Sequence, residues 1–316
     1  MFSNFANVWT PLIEAKRVGR TPLRVELAGE GLVVFRGERG EIGVLQDRCP
    51  HRSVRLSLGT VGDDGCLQCP FHGWRFAPDG ENRHVPLNPD AKRSQLNATS
   101  LPARVIGDLV WVYTSPLGQP AESPQVPEGL DEAGLTRTYI TRTWHCHWTR
   151  AMENMLDSPH LPFVHRRSIG RGLARKMKPD SRMDISWEDT SFGGRSIALM
   201  DGVDGGGRLE FFRPNVMALT IPMPGRHFRI HALVIPVNES ETRLVVATSR
   251  NFLRPRLFNL LFQSSSRKIA DEDRAVVESS PPGEVPPPGH EQSVATDKAT
   301  LKFRHYYHRV LRHSAC

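Results

Sequence analysis

Cysteine is scarce and odd in number, with five in 316 residues. That excludes a disulfide-built scaffold and leaves each thiol as a ligand or a buried side chain in a reducing compartment. No apolar run approaches the roughly 18 to 20 residues that a membrane span needs, so no transmembrane segment is expected. The opening MFSNFANVWTPL lacks a basic segment ahead of an apolar stretch. No export signal is expected, and the cytoplasm is the expected location. No G-x-G-x-x-G occurs, and the triplet Gly205–Gly207 sits in a loop context, so nicotinamide and flavin folds are not encoded. Internal repeats are also missing. Charge is only mildly lopsided: 41 Lys and Arg against 34 Asp and Glu give +7. This suits an acidic partner or substrate and falls far short of a nucleic-acid arm. What remains is an ordinary globular composition, 39% hydrophobic and 24% charged, on a chain whose length fits two domains of roughly 150 residues.

The first third carries short β-rich runs, LRVEL (23–27), LVVFRG (32–37) and LVWVYT (109–114), separated by Gly, Asp and Pro. PLGQPAESPQVPEG (116–129) then brings prolines at 116, 120, 124 and 127, too many for a ladder or a helix, and reads as a linker. The expected division is a first domain over 1–116, a linker over 117–135 and a second domain over 136–316. The second domain opens with a strand at 138–144 and a helix at 148–156, with Met152, Met155 and Leu156 on one stripe. Several strands are expected between about 183 and 251: 208–212, 216–221, 228–237 and 242–249. A long helix over about 256–278 stops at Pro281–Pro282, PPGEVPPPG (281–289) is a stiff connector, and a basic helix covers 297–312. Strands with segregated helices define an α+β chain.

Two constellations carry chemistry. RCPHRS (48–53) and QCPFHGW (68–74) each offer one thiolate and one imidazole on a turn rich in Pro and Gly. Cys49, His51, Cys69 and His72 suit a single tetrahedral zinc. They also suit a two-iron, two-sulfide cluster in which Cys49 and Cys69 hold one iron and His51 and His72 the other. C-x-H is awkward for zinc, although Cys66 makes a nominal C-x-x-C with Cys69. The bland alternative is two buried thiols and two surface histidines. The second constellation lies in ENMLDSPHLPFVH (153–165). Asp157 and His160 are three apart and neighbour each other on a helix face. His165, five residues on, fits a regular helix poorly, but Pro159 and Pro162 break the ladder and let the chain return it to the same point. Two imidazoles and a carboxylate suit non-haem Fe(II) with sites open for O₂ and substrate. Among 13 histidines such a pair also arises by accident.

The two cysteine loops, with Pro after each Cys and F-H-G-W closing the second, resemble a Rieske domain. Behind them, E-N-M-L-D-x-x-H-x-x-x-x-H resembles the iron-site helix of Rieske non-haem iron oxygenase α subunits. The likeness is greatest to the short group of O- and N-demethylases and single-site hydroxylases, and it runs from NVWTPL to the late acidic helix. It implies an antiparallel β Rieske [2Fe-2S] domain followed by a catalytic domain in which an antiparallel sheet is covered by helices, a helix-grip or START-like fold. It implies that Cys49, His51, Cys69 and His72 hold the cluster and that His160 and His165 hold mononuclear iron. In ADEDRAVVES (270–279) it selects Asp273 as third ligand, with Asp271 and Glu272 as neighbouring candidates. Asp157 becomes the bridge from the iron site of one subunit to a cluster histidine of the next, in a ring that is most simply a homotrimer. Asn154 stands where some members carry a carboxylate.

The resemblance further implies a terminal oxygenase that uses O₂ and electrons from NAD(P)H, relayed by a separate reductase with or without a ferredoxin. The expected reaction is hydroxylation or oxidative demethylation of a small organic substrate. The alternatives are a cis-dihydroxylating dioxygenase, a Rieske-type electron carrier or sensor, and a zinc-stabilised binding module; no nucleic-acid partner is expected. RRSIGRGLARKMK (166–178), with six Lys or Arg and no acid, reads as a solvated loop or as a basic lid drawing in an anionic substrate. The five basic residues from Lys298 onward read as a surface helix or a ferredoxin dock. His145, His147, His227 and His231 are candidates to line the pocket or to be plain interior histidines. Cys66, Cys146 and Cys316 have no assigned partner. Trp74 is expected to pack on the cluster loop.

Overall fold

The β-rich runs of the first third pair locally, because short strands joined by tight turns close antiparallel hairpins cheaply. Leu23–Leu27 pairs with Glu30–Arg36, which pairs with Ile42–Gln46. The first turn is Ala28–Gly29, with φ of 47° and 79°; two positive φ values match the twist of the flanking strands. Thr60–Val61, Leu67–Gln68, Arg75–Phe76 and Asn82–His84 form a second small sheet, and Trp9–Glu14, Leu109–Tyr113 and Ala103–Ile106 a third. Phe35, Leu45, Leu56, Leu67 and Phe76 are fully buried in one core together with Cys49 and Cys69.

The computed structural model describes residues 1–2, 4–115, 120, 122–205, 207–281 and 283–313. Its described part divides into two compact units, which meet in sequence between Pro124 and Gln125. Residues 116–119 and 121 of the proline-rich stretch, Gly206, Pro282 and Cys316 lie outside the described residues. Part of the expected linker is packed: Leu130 is fully buried and Glu128 pairs with Arg229 at 2.9 Å.

The second unit is one eight-stranded antiparallel sheet. Its spatial order is Thr136–Trp144, Glu241–Arg250, Phe228–Asn238, Val216–Thr220, Arg208–Phe212, Gly193–Met200, Met183–Thr190, with Val203–Asp204 beside Gly193–Met200. Met183–Thr190 (MDISWEDT) has weak β character, and it forms where that matters least, at the sheet edge. Helix α1 (Trp148–Leu156) buries Trp148, Ala151, Met152 and Met155, the i, i+3, i+4, i+7 stripe of an amphipathic helix. It packs on the central strands, while the long helix α4 (Leu257–Val277) packs on Thr136–Trp144 and α1. The C-terminal helix α5 (Lys298–Arg309) docks on α1 and Met183–Thr190. In chain order two short helices, α2 (Leu161–Val164) and α3 (Arg171–Lys176), come between α1 and Met183–Thr190, so the basic run is partly helical. This α+β arrangement of an antiparallel sheet with helices agrees with the expectation. Among the described residues no helix is long and apolar enough to cross a membrane.

Candidate functional site

The two cysteine loops are built alike. The N–H of Cys49 donates to the carbonyl of Val54 (2.8 Å) and that of Ser53 to the carbonyl of Cys49 (2.9 Å). In the second loop Cys69 N–H donates to Trp74 (2.8 Å) and Gly73 N–H to Cys69 (3.1 Å). Ser53 and Gly73 hold equivalent positions with φ of 58° and 70°, so each loop turns back through one left-handed residue. The two thiols are buried side by side, and burial first, then the neighbouring Cys69 thiol, pushes Cys49 up to about 11. The His51 and His72 rings lie edge to face with centroids 4.6 Å apart. Trp74 stacks on His51 at 4.6 Å and 3°. His51 Nδ1 is buried without a hydrogen-bond partner, an arrangement that costs free energy unless something else occupies its lone pair. Cys66 stands apart from this set, its thiol directed at the Asp64 carbonyl (3.8 Å).

In the second unit the chain breaks after α1. Asp157 caps that helix in an extended conformation (φ −85°, ψ 116°), and His160 begins α2, which carries a proline at its start. The expectation that Asp157 and His160 share a helix face is therefore corrected: they meet across a turn, where His160 Nδ1–H donates to Asp157 Oδ2 at 3.2 Å. His165 caps the far end of α2, and the two rings have centroids 5.1 Å apart.

Helix α4 supplies the carboxylate from more than a hundred residues away. At 100° per residue three consecutive acids face three directions. Asp271 points outward, 40% exposed, to Arg142 at 3.0 Å. Glu272 accepts from His165 Nδ1–H at 2.8 Å and from the Ser168 hydroxyl. Asp273 shares the inward face with Ser266, Ala270 and Val277. Its Oδ1 lies 3.0 Å from His165 Nε2 and 3.5 Å from His160 Nε2, yet it is buried with no hydrogen bond. A ligand atom from each of His160, His165 and Asp273 lies within 4.8 Å of the others.

The protonation pattern follows from the partners. A carboxylate only accepts, so Asp157 and Glu272 each fix the proton on Nδ1 and leave the Nε2 lone pairs aimed at Asp273. Burial disfavours the charged form of His165, but Asp273 and Glu272 outweigh it and hold the imidazole above its usual range. Two imidazole nitrogens and one carboxylate oxygen converge on one point, where a divalent cation would take the place of the proton that the carboxylates favour on His165, and the donor set suits non-haem iron. The Ser168–Glu272–His165 chain was not anticipated from the sequence; a serine three residues after a candidate ligand was the only trace of it. Glu272→Gln keeps an acceptor but removes the charge. It should weaken mononuclear iron binding by about 10- to 100-fold, measured by competition with a calibrated chelator.

The three donors border a cavity of about 100 Å³. Asn154, whose Nδ2 is buried without a partner, and Asp157 line it too. They also line a surface cleft with Arg150, Glu153 and Arg304, so these two residues form the wall between interior and outside. None of the other candidate histidines borders the cavity. His147 is the buried N-cap of α1, pushed down to about 4 by burial. His227 and His231 share the Ser249 hydroxyl at 3.1 Å each on the opposite sheet face, and burial pushes His231 down to about 3. His145 is exposed, its N–H donating to Glu278 (2.7 Å).

A Rieske-like pair of loops and a buried two-histidine, one-carboxylate set under an antiparallel sheet define an iron-dependent redox protein. Residues 8–102 match the Rieske [2Fe-2S] domain, and 144–313 match the vanillate O-demethylase oxygenase C-terminal domain. The chain belongs to the Rieske oxygenase α subunits, whose cofactors are the Rieske cluster and mononuclear iron. It is 30% identical to the phthalate 4,5-dioxygenase oxygenase subunit of Pseudomonas putida over 74% of this chain and 57% of that one. It is 29% identical to methylxanthine N3-demethylase NdmB of P. putida over 95% of this chain and 86% of that one. The NdmB structure superposes with a TM-score of 0.77 at 26% identity, covering 95% and 89%. The chain spans about half the length of the first curated relatives it matches.

Proposed function

We propose that this chain is the terminal oxygenase component of a multicomponent system that hydroxylates or oxidatively demethylates a small organic substrate. The observation that carries this reading is Asp273 Oδ1, buried and faced by two Nε2 atoms at the edge of a largely apolar cavity. The near full-length likeness to a demethylase supports it.

Cys49 and Cys69 would hold one iron of the cluster, His51 and His72 the other. Replacing two thiolates by imidazoles raises the reduction potential above that of an all-cysteine centre. His160, His165 and Asp273 would hold the mononuclear iron, which when bound supplies O₂ activation in a water-poor cavity. The residues around it do positioning work: Asp157 and Glu272 fix both rings through Nδ1, and the apolar walls exclude water and hold the substrate close. Asp157, in the wall between cavity and surface, is proposed as the protein link to a cluster histidine of the neighbouring subunit in a homotrimeric ring. Domain roles follow, with residues 1–116 carrying the cluster and 136–316 the iron. With no dinucleotide motif in the chain, NAD(P)H would act through a separate reductase, with or without a ferredoxin.

Metal analysis tests the reading. The oxygenase should contain about three iron atoms per two acid-labile sulfides. A ratio of two to two would mark an electron carrier, and a colourless protein with stoichiometric zinc would mark a binding module.

A further inference from the structure

The cavity beside His160, His165 and Asp273 does not end there. Ser158, Leu161, Ile169, Leu209 and Leu219 also border a second space of about 440 Å³. That space runs toward the Gly193–Met200 strand, where Ser196, Ala198 and Met200 face it in the alternation of a strand. Cross-strand pairing carries one row of side chains through both spaces: Ser196 opposite Leu209, then Leu219, then Ile230.

Three properties of this double chamber restrict what fits. First, among the described residues no Phe, Tyr or Trp borders either space, and the rings that border the inner one are the imidazoles of His160 and His165, turned to Asp273. The outer space offers a planar ring no face to stack on, so its wall gives flat π systems no advantage over saturated, thicker skeletons. Second, the rim holds Lys176 and Asp201 together. Although the 166–178 segment is strongly basic, its chamber-facing part is balanced by an acid, whose carboxylate accepts from the Ser181 hydroxyl and the Arg182 N–H at 2.8 Å each. Opposite charges at one opening give no preference for an anion. Third, Ser196 is only 2% exposed and its hydroxyl has no hydrogen-bond partner. A lone buried hydroxyl in an aliphatic wall is costly unless a ligand oxygen completes it.

Resting on the oxygenase reading for where the reacting carbon sits, we propose that the substrate is an uncharged, largely saturated polycyclic or alicyclic compound carrying one carbonyl or hydroxyl oxygen. The saturated skeleton spans the inner and outer spaces, and its oxygen meets Ser196 at the end remote from the metal. Ser196 is then a specificity-determining residue.

Anaerobic calorimetric titration of the metal-loaded enzyme tests this with two probes: trans-1-decalone, a saturated bicyclic ketone, and caffeine, a planar heteroaromatic. Decalone should bind at least about tenfold tighter than caffeine. Ser196→Ala should weaken decalone about tenfold and leave caffeine unchanged, while Ser196→Thr, which keeps the hydroxyl, should retain most of the affinity. Ala198→Trp, which fills the outer space, should abolish decalone binding, with thermal melting confirming that each variant is folded. Caffeine binding as tightly as decalone, no decalone binding up to its solubility, or indifference to Ser196→Ala would overturn the proposal. Iron content of the same samples separates the two readings. A full iron complement with a failed titration removes the substrate class alone, whereas missing mononuclear iron removes the oxygenase assignment whatever the titration shows.

Discussion

Asp157→Asn should leave both metal centres loaded and lower product formation by about 100-fold. The variant is close to isosteric, and its amide oxygen can still accept from His160 Nδ1–H, which Asp157 Oδ2 now does at 3.2 Å. His160 therefore keeps its orientation and iron stays bound. What disappears is the negative charge in the wall between the inner cavity and the surface cleft that holds Arg150, Glu153 and Arg304. Iron per chain, cluster reduction by the donor and product per electron, measured on one preparation, distinguish a link from a ligand. Loss of iron would make Asp157 a structural prop, and turnover within a few-fold of wild type would remove it from the electron route.

The second large effect concerns the third ligand. Asp273→Ala and His160→Ala should each lose about one iron atom per chain and keep the visible absorption of the cluster, because the two sets of donors lie in different folded units. Asp271→Ala should keep its iron. Asp271 is 40% exposed and its pairing with Arg142 is the half-exposed kind that contributes at most about 1 kcal/mol. Asp273 is only 6% exposed and faces both imidazoles. Iron analysis after gel filtration decides the matter; the reverse order for Asp271 and Asp273 would move the ligand by half a helical turn. Simultaneous loss of iron and cluster absorption would show that the centres are not independent.

Local signals made much of this molecule legible. LRVEL, RLEFF and WTRAMENML appear as elements with the bounds their periodicity predicts, since each buries its apolar stripe whatever its neighbours do. Met183–Thr190 stayed hidden because its pairing with the next strand, not its composition, makes it a strand. Among candidate site residues, the prolines around His160 foretold that His165 returns to the same point. Asp271, Glu272 and Asp273 form one acidic run within which composition chooses none; the family resemblance picked Asp273, and the rotation of α4 against the sheet separates an outward ion pair, a histidine clamp and an inward carboxylate. The Ser168–Glu272–His165 chain and the orphaned Ser196 hydroxyl depend on contacts across dozens of residues, which no local pattern encodes.

The sheet alternates chemistry residue by residue. Leu209, Leu219 and Ile230 line the chamber, while Glu210 and Arg229 on the same strands pair with each other and with Arg195 and Glu128 on the opposite face. All three candidate metal donors, by contrast, come from helical segments. Point changes along the inward row can therefore remodel the chamber without touching the donors, so substrate range is free to drift in evolution. A one-residue insertion in a strand would turn charged side chains inward and aliphatic ones outward at a stroke. Variation in a lineage built on this plan should accumulate as substitutions at inward strand positions, with strand lengths held nearly constant.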